Sequence, residues 1–546
     1  MTGTAEVETV RAADLLARRL YDAGCRWAFG IPGGEVLTFV DALEKAGIRF
    51  VLAKHENAAG FMAEGVYHMT GAPGILVATV GPGAANAVNV AANAEQDRVP
   101  LIVVTGCVDE DEAVTYNHQV FDHGRVFRPV VKASFRVTAG AVDAQADKAV
   151  AIALDPRPGP VHLDLPISVA AAEVPVPALP TRRSPGLAGV PAAGAALDTA
   201  RDWLAGAEKP VMVVGLDVLS QGGEAAVRAF AEKFGIPTVA TYKAKGIVPD
   251  DSPLSLGGAG LSPVADRQIL PLLKTADLII LAGYDPIEMR VGWRNVWDAG
   301  NQRVIEVSAA PNTHYMHQSS ISFVGDVGGS LTVIGDGVAP KAVRWPGGEP
   351  AKAREALAGA YGQNEAWGPA AIVTTVRQSV PRDAVITIDS GAHRILASQV
   401  WESLVPHAVL QSTGLCTMGC ALPLATGAKI AAPERAVVAF TGDAGLEMIL
   451  GELVTLRDTR LPVIVVVFVD ASLALIELKQ RSMTYANAGV DFAETDFAGI
   501  AEKLGGRGVV CEDRDTLAAA IRDGLTADTF TLCACRIDRK AYDGRI

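Results

Sequence analysis

The stretch AVVAFTGDAGLEMIL, residues 436–450, decides the reading of the chain. Apolar residues of strand type run into Gly442-Asp443-Ala444-Gly445. Leu446, Ile449, Leu450 and Leu453 then follow i, i+3, i+4, i+7 spacing, which predicts a helix. A glycine turn between strand and helix lets backbone approach a ligand, and the free N–H groups of a helix start favour an anion. One carboxylate in such a turn fits a phosphate site whose Asp holds the accompanying metal. Pro462 closes the helical region, and VIVVVFVD (463–470) reads as a buried strand that delivers Asp470 at its carboxyl end. Asp470 lies 27 positions after Asp443. Strand, helix and strand form a right-handed crossover, so neighbouring strands would present both carboxylates at one sheet edge. Two such oxygens, with phosphate oxygens, suit Mg²⁺. Asp443 alone reads equally well as a helix cap or turn residue; the spacing to Asp470 favours the site.

The rest of the chain has the same grain. ILVATV (75–80), PLIVVTG (100–106), PVMVVG (210–215), IPTVATY (236–242), LIILAG (278–283) and AVITID (384–389) read as strands separated by helical patterns. Two stretches rich in Pro and Gly, 173–194 and 339–352, read as linkers. They predict three α/β domains with doubly wound parallel sheets: 1–175, 190–338 and 355–546. A chain of 546 residues with 49% apolar and 20% charged residues can bury several such cores. The net charge of −13 argues against nucleic-acid binding, which needs a basic face. The longest apolar run, 461–469, is too short to span a bilayer, and no signal peptide is apparent, so a cytoplasmic, non-membrane protein is expected. The seven cysteines contain no CxxC pair and read as reduced, mostly buried thiols.

Three further segments make the sequence recognisable: AKHENAAGFMAEG (53–65), TVGPGAANA (79–87) and STGLCTMGCALPLATGAK (412–429). With GDA at 442–444 and VD at 469–470, the chain resembles the thiamine-diphosphate (ThDP) enzymes that include acetolactate synthase. That resemblance covers nearly the whole chain. It implies that the N-terminal domain binds the cofactor's pyrimidine and the C-terminal domain its diphosphate. It implies that Asp443, Asp470 and the backbone carbonyl of Ser472 ligate Mg²⁺, with Gly442, Ala444 and Gly445 lining the diphosphate. Glu56 would exchange a proton with N1′ of the pyrimidine, which drives deprotonation of thiazolium C2; the cofactor then serves as an electron sink. Met418 would hold the two rings in a bent arrangement, a positioning effect. Gly81 would lie in a turn facing the cofactor, and His393 near it. Taken singly, Glu56 reads as a solvated acid, Met418 as core filler, and His393 is a lone histidine.

YNHQVFDHGRVFRPVVK (116–132) and AGYDPIEMRVGWRNVWD (282–298) resemble the catabolic, FAD-independent acetolactate synthases. FAD is therefore less expected, and Gln119 would face the active site from a partner subunit. The resemblance implies a homodimer at least, and commonly a homotetramer. It implies decarboxylation of a small 2-oxoacid and carboligation to a second carbonyl compound, with acetolactate from two pyruvates as the named expectation. A simple 2-oxoacid decarboxylase or C–C lyase stays open. So does a catalytically degenerate subunit, suggested by Val469 in place of an Asn and opposed by the retained Glu56 and Asp443. Other departures bear on the substrate. Glu35 stands where catabolic synthases tend to carry a basic residue, Leu478 where an aromatic is usual, and Val80 in place of a Ser. Together they point to a donor or acceptor other than two pyruvates.

Overall fold

The computed structural model describes residues 8–177, 189–287 and 289–546. Among them are three six-stranded, wholly parallel sheets. The first contains β1 (Trp27–Ile31), β2 (Arg49–Leu52), β3 (Gly74–Ala78), β4 (Leu101–Cys107), β5 (Ala133–Arg136) and β6 (Pro160–Pro166), ordered β2-β1-β3-β4-β6-β5. The central sheet contains β7 (Pro210–Val214), β8 (Thr238–Ala240), β9 (Ser255–Gly258), β10 (Leu278–Ala282), β11 (Arg303–Ser308) and β12 (Ile321–Val324), ordered β9-β8-β7-β10-β11-β12. The third contains β13 (Val385–Ile388), β14 (Val409–Gln411), β15 (Val437–Gly442), β16 (Ile464–Val469), β17 (Arg507–Cys511) and β18 (Thr531–Arg536), ordered β14-β13-β15-β16-β18-β17. Helices cover both faces, so the inner strands are apolar throughout: every residue of β4 and of β16 is buried. This is the doubly wound α/β architecture expected from the alternating pattern.

By their contacts the residues form two compact units, one holding the first sheet with 412–433 and 449–459, the other the central and third sheets. In the first unit the helix α1 (Glu56–Thr70) is buried along most of its length. Two mid-helix glycines, each costing about 1 kcal/mol relative to alanine, make this possible. A Cβ on Gly65 would strike the Leu424 carbonyl, and one on Gly427 would strike the Met62 carbonyl. Small residues on both helices thus let residues 421–431 cross α1 at backbone contact.

Two sequence expectations need correction. The helix expected from Leu446 onward is two pieces, Asp443–Glu447 and Glu452–Thr459, joined by a turn over 448–451. There the backbone bonds span three residues, from Glu452 N to Ile449 O and from Leu453 N to Leu450 O. The 339–352 stretch is anchored rather than loose. Trp345 is buried, its Nε1 donates to Pro210 O at 2.8 Å, and a helix already begins at Glu349. Of the other expected linker, residues 178–188 lie outside the described residues, while Glu173–Pro175 pairs antiparallel with Thr9–Arg11. Among the described residues no helix is long and apolar enough to cross a membrane.

Candidate active site

The third sheet assembles one cluster of charged groups. β15 and β16 are parallel neighbours with Gly442 opposite Phe468, so Asp443 and Asp470 leave the sheet at one edge. Asp443 is buried; its Oδ2 accepts from Asp470 N at 3.0 Å and Ala471 N at 2.7 Å. Asp470 Oδ1 accepts from Ser472 N at 3.0 Å, and Ser472 Oγ donates to Asp491 at 3.0 Å. Burial raises the Asp443 carboxyl despite these backbone donors. Burial first, then the neighbouring Asp443 charge, pushes Asp470 up to about 8. A buried and a half-buried carboxylate side by side at one sheet edge is the arrangement a divalent cation relieves. Among the described residues no group of three or more His, Cys, Asp or Glu side chains is placed to hold a metal, so side chains could supply two donors here. A third would come from backbone, such as the Ser472 carbonyl.

Gly445 has an internal cause. A Cβ there would strike Asp389 Oδ2, the oxygen that also accepts from Thr441 Oγ1 at 3.0 Å. The sequence reading assigned this glycine to ligand approach; the structure adds a carboxylate behind the turn as a second reason for glycine here. His393 is buried at the start of the helix α2 (Ala392–Val400), stacks on Phe468 at 5.3 Å, and reaches the backbone of Gly442. Burial, then the adjacent Arg394, holds its imidazole down to about 3, so it is neutral. Its Nε2 is buried with no hydrogen-bond partner among the described residues. An orphaned ring nitrogen beside the glycine turn is an unmet hydrogen-bonding group of the kind a ligand could satisfy.

The first sheet, in the other unit, assembles a second cluster. Glu56 opens α1, is 5% exposed, and its Oε2 accepts from Asn86 Nδ2 at 2.9 Å. Glu452 fixes the entry to this helix: its Oε1 accepts from Lys54 N at 2.9 Å and His55 N at 3.1 Å. Burial raises the Glu452 carboxyl. Gly81 has φ 68°, and Gln119, itself at φ 61°, packs its backbone and Cβ onto that glycine. Gly81 N donates to His123 Nε2 at 3.2 Å, so Nδ1 carries the imidazole proton and donates to Asp164 Oδ1 at 2.9 Å. Gln119 is exposed; Met418 is half-buried in the turn before the helix α3 (Ala421–Ala431).

Sequence reasoning missed Asn86, His123, Asp164 and Glu452. Asn86 and Glu452 follow the glycine turns of 79–83 and 442–445, and a search for polar residues one helical segment beyond such turns would have found both. His123 and Asp164 have no local signal.

Residues 10–126 match the thiamine pyrophosphate enzyme N-terminal TPP binding domain, 197–334 the central domain and 389–535 the C-terminal TPP binding domain. The chain belongs to the thiamine pyrophosphate enzyme family. This thiamine pyrophosphate enzyme is 28% identical over 554 residues to the catabolic acetolactate synthase of Raoultella terrigena, covering 98% of this chain and 96% of that protein. It is 28% identical over 533 residues to the acetolactate synthase of Bacillus subtilis, covering 95% and 91%. It is 31% identical over 477 residues to the acetolactate synthase isozyme 1 large subunit of Escherichia coli, covering 87% and 84%. It is accordingly a ThDP-dependent enzyme of the decarboxylase and carboligase group.

Proposed function

We propose that this thiamine pyrophosphate enzyme uses ThDP and Mg²⁺ to decarboxylate a small 2-oxoacid and join the remaining fragment to a second carbonyl compound. The observation that carries the reading is the pair Asp443, buried, and Asp470, half-buried, at the carboxyl edge of the neighbouring strands β15 and β16. The cofactor, when bound, supplies an electron sink for the carbon that loses CO₂. The chain does the rest. Asp443, Asp470 and the Ser472 carbonyl would hold Mg²⁺, with Gly442, Ala444 and Gly445 giving the diphosphate its approach. Glu56, tethered by Asn86, would hold and return a proton at the pyrimidine ring. Met418 would support the rings, His393 and Gly81 would border them, and Gln119 would face the reacting carbonyl.

Two or four copies of the chain would form the working enzyme. Large apolar side chains stand exposed in each unit: Leu52 at 52% and Phe121 at 38% in one, Met448 at 65% and Tyr485 at 67% in the other. Such surfaces fit association of copies. The function is tested by anaerobic turnover of purified protein with ThDP, Mg²⁺ and pyruvate, following CO₂ and products by mass. A ligated product is expected. CO₂ with free aldehyde would replace ligation by simple decarboxylation, and no CO₂ from any 2-oxoacid would overturn the reading.

A further inference from the structure

In an open parallel sheet, ligands bind at the carboxyl edge where the winding reverses. In the first sheet that crevice lies between β1 and β3, since β1 is followed by β2 on one side and the chain then crosses to β3 on the other. The residue after β1 that enters this crevice is Glu35, in the turn Gly34–Val36. Thr79, in the turn after β3, donates from Oγ1 to Glu35 Oε2 at 2.6 Å, so one hydrogen bond straddles the switch point. Thr79 also connects Glu35 to the proton-handling end. A Cβ on Gly83 would lie 3.0 Å from Thr79 Cγ2 and 3.2 Å from Glu56 Oε1, so both side chains flank one point. Glu35 is half-buried and forms no ion pair among the described residues; Thr79 is its hydrogen-bond partner.

We propose that Glu35 selects the carbonyl acceptor by charge, favouring an uncharged aldehyde that presents a hydroxyl donor over a second 2-oxoacid. This rests on the function proposed above. The donor's charge is fixed by the chemistry, because CO₂ can leave only from a carboxylate. The acceptor's charge is free, and an unneutralised carboxylate in the crevice works against a second anion while accepting a hydrogen bond from a hydroxyl. The net reaction is R–CO–COO⁻ + R′–CHO + H⁺ → R–CO–CH(OH)–R′ + CO₂. The bond to the carboxyl carbon breaks, its electron pair forms the new C–C bond, and the acceptor oxygen takes the proton.

The test sets glycolaldehyde against glyoxylate, which are similar in size and differ by a hydroxymethyl for a carboxylate. The holoenzyme with ThDP and Mg²⁺ receives pyruvate and both acceptors at equal concentration, and each ligated product is counted by mass relative to that preparation's own CO₂ release. The wild type is expected to favour glycolaldehyde, Glu35→Gln to lose about tenfold of that preference, and Glu35→Lys to invert it. Thr79→Val, which keeps the Glu35 charge, is expected to keep the preference. If the Glu35 variants do not fold, salt decides on the wild type: a charge-based preference shrinks as ionic strength rises. CO₂ release with a preference for glyoxylate, or with a ratio that neither Glu35→Gln nor salt moves, overturns this inference and leaves the function standing. No CO₂ from pyruvate, 2-oxobutyrate or phenylpyruvate overturns both.

Discussion

The first and third sheets are wound alike and equipped differently. With strands numbered in chain order within each sheet, both read 2-1-3-4-6-5, whereas the central sheet reads 3-2-1-4-5-6. Both gather their polar groups where β-strands end, but at the first edge the carboxylates are held apart, Glu56 on a neutral amide from Asn86 and Glu35 on the Thr79 hydroxyl. The third edge sets Asp443 against Asp470, and each is raised by burial. On the function proposed above, the first edge would hold and pass a proton, and the other would hold negative charge that a cation relieves. The same winding therefore hosts two kinds of electrostatics, and the difference lies in which residues follow the strands.

That contrast can be broken. Glu56→Gln keeps size and the tie to Asn86 but cannot exchange a proton, so kcat is expected to fall by at least about 100-fold while the variant still binds ThDP, as read by calorimetry. Unchanged turnover would remove the proton-handling role. At the other edge, Asp470→Asn takes away one of two opposed charges. The melting temperature of metal-free protein is expected to rise, while the further rise on adding Mg²⁺ is lost and the Mg²⁺ needed for activity grows by about 100-fold. A metal-free protein no more stable than wild type would contradict the electrostatic account.

Two smaller effects sharpen it. Glu452→Ala strips the acceptor from Lys54 N and His55 N, leaving two N–H groups unsatisfied at the entry to α1. A loss of about 2 kcal/mol in stability and about tenfold in kcat is expected, with Glu452→Gln recovering most of both because its amide oxygen still accepts. Behind the first edge, His162 is held down to about 4, chiefly by burial. Its folded value lies below its ordinary 6.5, so the folded state binds fewer protons between those limits. Stability is then lost as pH falls from about 6.5 towards 4, by up to about 1.4 kcal/mol per pH unit. His162→Gln is expected to flatten that limb of a melting-temperature profile.

How much of this was legible in the sequence follows from what sequence patterns encode. The strands around 75–80, 100–106, 384–389, 436–442 and 463–470 were readable because strands buried on both faces are continuous apolar runs. The register of Asp443 and Asp470 was readable because a crossover of fixed hand leaves little freedom. The break at 448–451 was not, since apolar spacing counts side chains and says nothing of which carbonyl each N–H reaches. The tie from Glu452 to Lys54 and His55 joins residues nearly 400 positions apart, beyond any local signal. Asp389 behind Gly445 escaped for the same reason.

The anchoring of Trp345 has a practical consequence for anyone recombining this enzyme with a relative. The Pro- and Gly-rich stretch 339–352 invites a cut and splice, yet its tryptophan belongs to the central sheet, with Nε1 on Pro210 O and its own N–H on Glu208 O. A crossover placed before Trp345 would exchange an indole away from the strand end it seals. A crossover between Trp345 and the helix that opens at Glu349 leaves the central sheet with its own plug, and the module boundary that matters to an engineer is that three-residue window, 346–348.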